Sequence, residues 1–128
     1  MVYIKHANAS IEEIDAKLVR IAAEHKFGVL GVHDLKEKMK SKGIDFGPDC
    51  VVFEVCNPSQ AKKVLEMDMT LSTVLPCRIA VYQDHGKTAV ATLRPTAMIS
   101  LFPAAEQVMS TAREVEESLM QIIDEVCA

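Results

Sequence analysis

Two β-rich runs, CRIAVYQD over Cys77 to Asp84 and KTAVATLR over Lys87 to Arg94, are separated only by His85-Gly86. A two-residue connection joins antiparallel neighbours, and glycine supplies the backbone conformation such a tight turn needs. The chain therefore contains an antiparallel sheet. A third run, CVVFEVC over Cys50 to Cys56, is too apolar and β-rich for a surface loop. It is stopped by Asn57-Pro58, a helix cap followed by proline at the first helical position. The helix so opened runs to about Met67, and the stretch from Asp68 to Pro76 is longer than most connections. A helix of about ten residues returns the chain by about 15 Å, and the following stretch can span roughly 30 Å. The strand from Cys77 is thus expected to start beside the end of the Cys50 to Cys56 strand and run antiparallel to it. Cys56 and Cys77 would then be neighbours at one end of the sheet.

The remaining elements follow from spacing and punctuation. Val2 to His6 alternates as a short first strand. Ser10-Ile11-Glu12-Glu13 has the form of a capping box, and Ile11, Ile14, Leu18, Ile21 and His25 recur at helical spacing. FGVLGV, Phe27 to Val32, reads as a buried strand. Asp34 with Glu37 opens a short lysine-rich helix that ends near Gly43, and Gly47-Pro48-Asp49 is a turn. Arg94-Pro95 ends the hairpin's second strand, and a short helical piece leads to Pro103. In the last helix, about Ala104 to Val126, Val108, Ala112, Val115, Leu119, Ile122 and Val126 form a stripe at alternating steps of four and three. That stripe fits packing on the chain's own sheet, with a seam shared by a partner helix as the alternative. The order β-α-β-α-β-α-β-β-α predicts an α+β fold, a single sheet of about five strands with helices packed on it, and one domain over residues 1–128.

Charge and composition bound the function. The net charge of −4 argues against nucleic-acid binding, and the six carboxylates between Glu106 and Glu125, against one Arg113, make the last helix distinctly acidic. Lys36, Lys38, Lys40 and Lys42 lack the interleaved aromatics of a single-strand platform. No apolar run has the length of a secretory core or of a membrane span, so a cytoplasmic chain with no membrane partner is expected. In that compartment Cys50, Cys56, Cys77 and Cys127, none of them in a C-x-x-C pair, stay reduced. Phosphate-cradling G-x-G-x-x-G and G-x-x-x-x-G-K-[ST] loops, a G-x-S-x-G elbow and zinc-type histidine pairs are all absent.

Phe27-Gly28-Val29-Leu30, then Cys56-Asn57-Pro58 with Ala61, then Val74-Leu75-Pro76-Cys77 before the strand through Tyr82, carry a family resemblance. The chain resembles the bacterial and archaeal family of domain of unknown function 302 over roughly Ser10 to Phe102. The resemblance implies a compact α+β domain and a homodimer, and it brings no assigned activity. Two positions depart from the family's pattern: Arg78 follows the L-P-C triplet where asparagine is usual, and Arg94 stands where an acidic residue usually precedes proline.

The candidate ligand-binding residues are Cys56, Cys77, Asn57 and Glu54. Cys56 directly precedes the Asn57 cap, where a helix dipole favours a thiolate, and Glu54 shares its strand face. Free cysteine is also a common core residue, and packing is the competing explanation for both thiols. Read functionally, the pair makes this a dimeric binding or sensor module holding a soft metal, sulfane sulfur or a small ligand, with Cys56 and Cys77 as the weak metal candidates. The alternative is an accessory enzyme that uses a cysteine nucleophile or redox thiol, for which His33 is a conceivable partner. Met67 and Met69 fit copper(I) chemistry, although seven methionines in a chain without tryptophan fit gap-filling better. No cofactor is indicated.

Overall fold

A computed structural model describes residues 1–128. Its elements are β1 (Val2–Ala7), α1 (Ile11–Glu24), β2 (Gly28–Asp34), α2 (Leu35–Ser41), β3 (Cys50–Cys56), α3 (Pro58–Met67), a 3-10 helix (Met69–Val74), β4 (Cys77–Asp84), β5 (Lys87–Leu93), α4 (Pro95–Ile99) and α5 (Ala105–Cys127). The five strands form one sheet in the order β1-β5-β4-β3-β2, every neighbouring pair antiparallel. This is the expected α+β architecture.

Side-chain chemistry accounts for the boundaries. Ser10 Oγ accepts from the Glu13 amide at 3.2 Å, Asp34 Oδ1 from Glu37 at 3.0 Å, and Asn57 Oδ1 from Gln60 at 3.2 Å, so α1, α2 and α3 start where an oxygen satisfies a free amide. Both His85 and Gly86 have positive φ, 49° and 83°, which is the geometry of a two-residue hairpin turn matched to strand twist. The stretch from Asp68 to Pro76, expected as an open connection, holds the 3-10 helix, capped where Asp68 Oδ1 accepts from the Thr70 amide.

All the long helices lie on one face of the sheet. The alternating residues Val51, Phe53 and Val55 of β3, Ile79 and Val81 of β4 and Val90 of β5 share one core with Ile14, Leu18 and Phe27 and with Leu119, Ile122 and Ile123 of α5. Each fully buried aliphatic or aromatic side chain of this kind stabilises the fold by roughly 1.5–3 kcal/mol. The stripe on α5 is thus spent inside the chain, with only Val115 partly buried. Its carboxylates tie the helix down: Asp124 accepts from Tyr3 and approaches Lys5, Glu125 bonds His25 at 2.8 Å, and Glu116 accepts from both the amide and hydroxyl of Thr96. No helix is long and apolar enough to cross a membrane.

The opposite sheet face carries no helix of comparable length. Strand pairing aligns His33, Val52, Ala80, Ala91 and Ile4 across it, flanked by Val2 and Leu93, and Ile4, Val2 and Leu93 remain 43%, 52% and 38% exposed.

Candidate functional site

The register of β3 on β4 sets Val55 opposite Cys77, one residue from Cys56. The reversal expected from the long 68–76 stretch is what delivers this pairing. Cys56, Asn57, Gln60 and Cys77 line one cavity of about 30 Å³ together with Phe27, Val55, Ala61, Leu75 and Val115. Such a space admits about one water or one ion. Gln60 Oε1 is buried there without a hydrogen-bond partner, so the cavity has a single unpaired acceptor among apolar walls.

Burial governs the thiols. It pushes Cys77 up to about 11, with Cys56 adding to the effect, and it raises Cys56 as well. This is opposite in direction to what a helix N-terminus alone would do, and Asn57 has already claimed one amide there. Both side chains are therefore thiols at neutral pH. Cys50 and Cys127, also raised by burial, stand outside this cavity.

Glu54 belongs to a different constellation. His33 Nε2 lies 2.8 Å from Glu54 Oε1, Lys38 Nζ lies 3.1 Å from His33 Nδ1, and an Arg78 guanidinium nitrogen lies 4.0 Å from Glu54 Oε2. Lysine can only donate, so His33 accepts at Nδ1 and donates from Nε2 to the carboxylate. That hydrogen bond holds the Glu54 carboxyl below the usual carboxylate range, helped by the positive charge of Arg78 and Lys38. Sequence reasoning named Glu54 and weighed His33 as a thiol partner. It missed that the two are each other's partner, a pairing signalled only by their positions on adjacent strands. Each of the other histidines also sits beside a carboxylate, His6 and His85 on Asp84 and His25 on Glu125. No group of three or more His, Cys, Asp or Glu side chains is placed to hold a metal ion between them.

Next to Glu54 the open sheet face dips into a hollow of about 360 Å³. Its floor is Val52, Ala80 and Ala91, its walls come from Leu93 and Met98 and from Val74 at the end of the 3-10 helix, and Arg78 is the one charged residue on its lining.

Residues 3–126 match the family described as Domain of unknown function DUF302. The chain belongs to this family. A solved DUF302 structure, "Crystal structure of uncharacterized conserved protein DUF302 from Bacillus stearothermophilus", is similar over 99% of this chain and 98% of that one, with 30% sequence identity and a TM-score of 0.90. No curated protein matches. Phe27, Cys56, Asn57, Ala61, Leu75 and Cys77, which carry the DUF302 resemblance in three separate segments, line the cavity that holds both thiols. Arg78, where the chain departs from the usual DUF302 pattern, faces away from it onto the open side beside Glu54.

Proposed function

We propose that this DUF302 chain is a cytoplasmic binding module, working as a homodimer, that takes up a soft metal ion stoichiometrically between Cys56 and Cys77. The observation carrying this reading is that Cys56 and Cys77 line one small cavity together with the motif residues Phe27, Asn57, Ala61 and Leu75 and with Gln60, whose Oε1 is an unpaired acceptor. A cavity of about 30 Å³ suits an occupant of atomic size and is too small for an organic substrate. Thiols raised by burial are poor nucleophiles at neutral pH, which counts against the accessory-enzyme alternative and against sulfane-sulfur uptake, both of which need an attacking thiolate. Two sulfur ligands suit copper(I), a soft ion that selects thiolates. Each thiol gives up its proton as it binds, so uptake strengthens as pH rises.

The dimer is supported by the uncovered sheet face. A second copy laid on Ile4, Val52, Ala80 and Leu93 would remove exposed apolar area that the chain's own helices leave bare. A stable interface of this kind buries roughly 1,200–2,000 Å² in total.

Native mass spectrometry of the protein titrated with copper(I) tests both parts. The expected result is a dimer with one copper per chain, and loss of the metal in Cys56→Ala and Cys77→Ala but not in Cys50→Ala. Uptake that survives both substitutions, or no uptake at pH 8, overturns the thiol site. A monomer at tens of micromolar overturns the dimer, and Ile4→Lys should dissociate it where Val19→Lys, on the solvent side of α1, does not.

A further inference from the structure

The hollow on the open sheet face has a composition that selects its occupant. Its surface is mostly aliphatic, and one cationic side chain stands at its edge. The Arg78 guanidinium makes no hydrogen bond within the chain; the one carboxylate within 4.0 Å of it is that of Glu54, through Oε2, and Glu54 is already engaged by His33 at 2.8 Å. The guanidinium therefore keeps donors free in a fork that matches a carboxylate. A volume of about 360 Å³ lies at the small end of ligand pockets. We propose that this hollow is a second binding site, for a small amphiphilic carboxylate, a short alkyl chain lying on Val52, Ala80 and Ala91 with its carboxylate on Arg78.

The polarity of the site runs one way. Lys38, His33 and Arg78 surround the single Glu54 carboxylate at this end of the sheet, so added negative charge is balanced there and added positive charge is repelled. The alkyl portion gains by leaving water, and each methylene that fits should raise affinity about fourfold until the hollow is filled. The proposal goes beyond the copper-binding reading: Cys77 also lies on the hollow's lining, but the carboxylate is held by Arg78 and not by a thiol. It shares the sheet face with the dimer reading, in which the second copy would roof the hollow.

The test is calorimetric titration of the whole protein with hexanoate, octanoate, octanol and octylamine, with sedimentation velocity on the same samples. Octanoate should bind about fourfold more tightly per added methylene than hexanoate, and at least about tenfold more tightly than octanol, since a charge-assisted bidentate pair is the stronger kind of hydrogen bond. Arg78→Gln should erase the preference for octanoate over octanol, and Arg78→Lys, which keeps the charge but loses the fork, should keep only part of it. Ala80→Leu, which fills the floor, should abolish binding of both. Equal affinity for octanoate and octanol, a preference that survives Arg78→Gln, or no binding of octanoate at millimolar concentration each overturns the proposal. If wild type ignores octanoate while Arg78→Gln dissociates the dimer, the carboxylate on Arg78 comes from the second copy. In that case the dimer stands and the ligand site does not. A monomer that binds octanoate overturns the dimer alone, and copper uptake is read separately, by native mass spectrometry of the same proteins.

Discussion

Gly31 lies beneath the carboxylate of Glu54: a β-carbon added at position 31 would stand 2.8 Å from Glu54 Oε1 and 3.5 Å from His33 Nε2. The absence of a side chain on β2 is what lets the glutamate fold across its neighbouring strand to reach the imidazole. Gly31→Ala should push the carboxylate off His33. Because the displaced atom is the far end of a flexible side chain, stability should change by less than about 1 kcal/mol. The readout is the Glu54 carboxyl titration followed by NMR, which should move upward toward that of a free glutamate. An unchanged midpoint would show that the pair does not depend on the glycine.

Asp15, half-buried on α1 with Oδ1 unpartnered, has its carboxyl pushed up to about 6, first by burial and then by Glu12 and Asp34. A carboxyl with a higher pKa in the folded state than in the unfolded one binds more protons when folded, so stability is greatest below about pH 4 for this group and falls as pH rises toward 6. Asp15→Asn should remove that slope and stabilise the protein above pH 6 by on the order of 1 kcal/mol, the exposed part of the group being screened by water. Melting temperatures of both proteins from pH 3.5 to 7.5 check this. Curves that stay parallel would sink it.

The thiols should alkylate in an order set by burial. Cys77, raised furthest and almost inaccessible, should react last, with a rate that climbs through pH 9 to 11. Peptide mapping after timed iodoacetamide treatment reads each cysteine separately. Rapid labelling of Cys77 at pH 7 would mean an activated thiolate, and would favour the accessory-enzyme alternative.

Leu119 is fully buried between α5 and the sheet, whereas Leu101 is 84% exposed. Leu119→Ala should cost about 2–5 kcal/mol in urea unfolding, and Leu119→Asp more, because a charge would enter the core unpaired. Leu101→Ala should stay within about 0.5 kcal/mol.

The legible parts of this fold are those written in local punctuation. Asn57-Pro58 and Pro76-Cys77 mark the end of β3, the start of α3 and the start of β4 to the residue, and His85-Gly86 marks the hairpin. The neighbourhood of Cys56 and Cys77 was legible too, because chain length and helix rise force the reversal that brings them together. What the sequence did not display depends on distant partners. The pairing of β1 with β5, the irregular register between Val29 and Gly31, and the chain of donors from Lys38 through His33 to Glu54 all arise from side-by-side strands far apart in the chain. The 3-10 helix at 69–74 was hidden for another reason: six residues are too few for periodicity to show.

The sheet order also dictates a timetable. Strands β2 to β5 pair in the order of synthesis, each with the one just made, but Val2 must wait for Leu93 and Ala7 for Thr88 before β1 has a partner. A nascent chain therefore carries β1 unpaired until β5 is made, and α1 lacks α5 until residues 105–127 have been made. Closing so long a loop makes this the entropically costliest pairing in the sheet. Until then the edge of β5 and the apolar side of α1 are open to other chains, the interval in which such a protein is most exposed to aggregation and most dependent on chaperones.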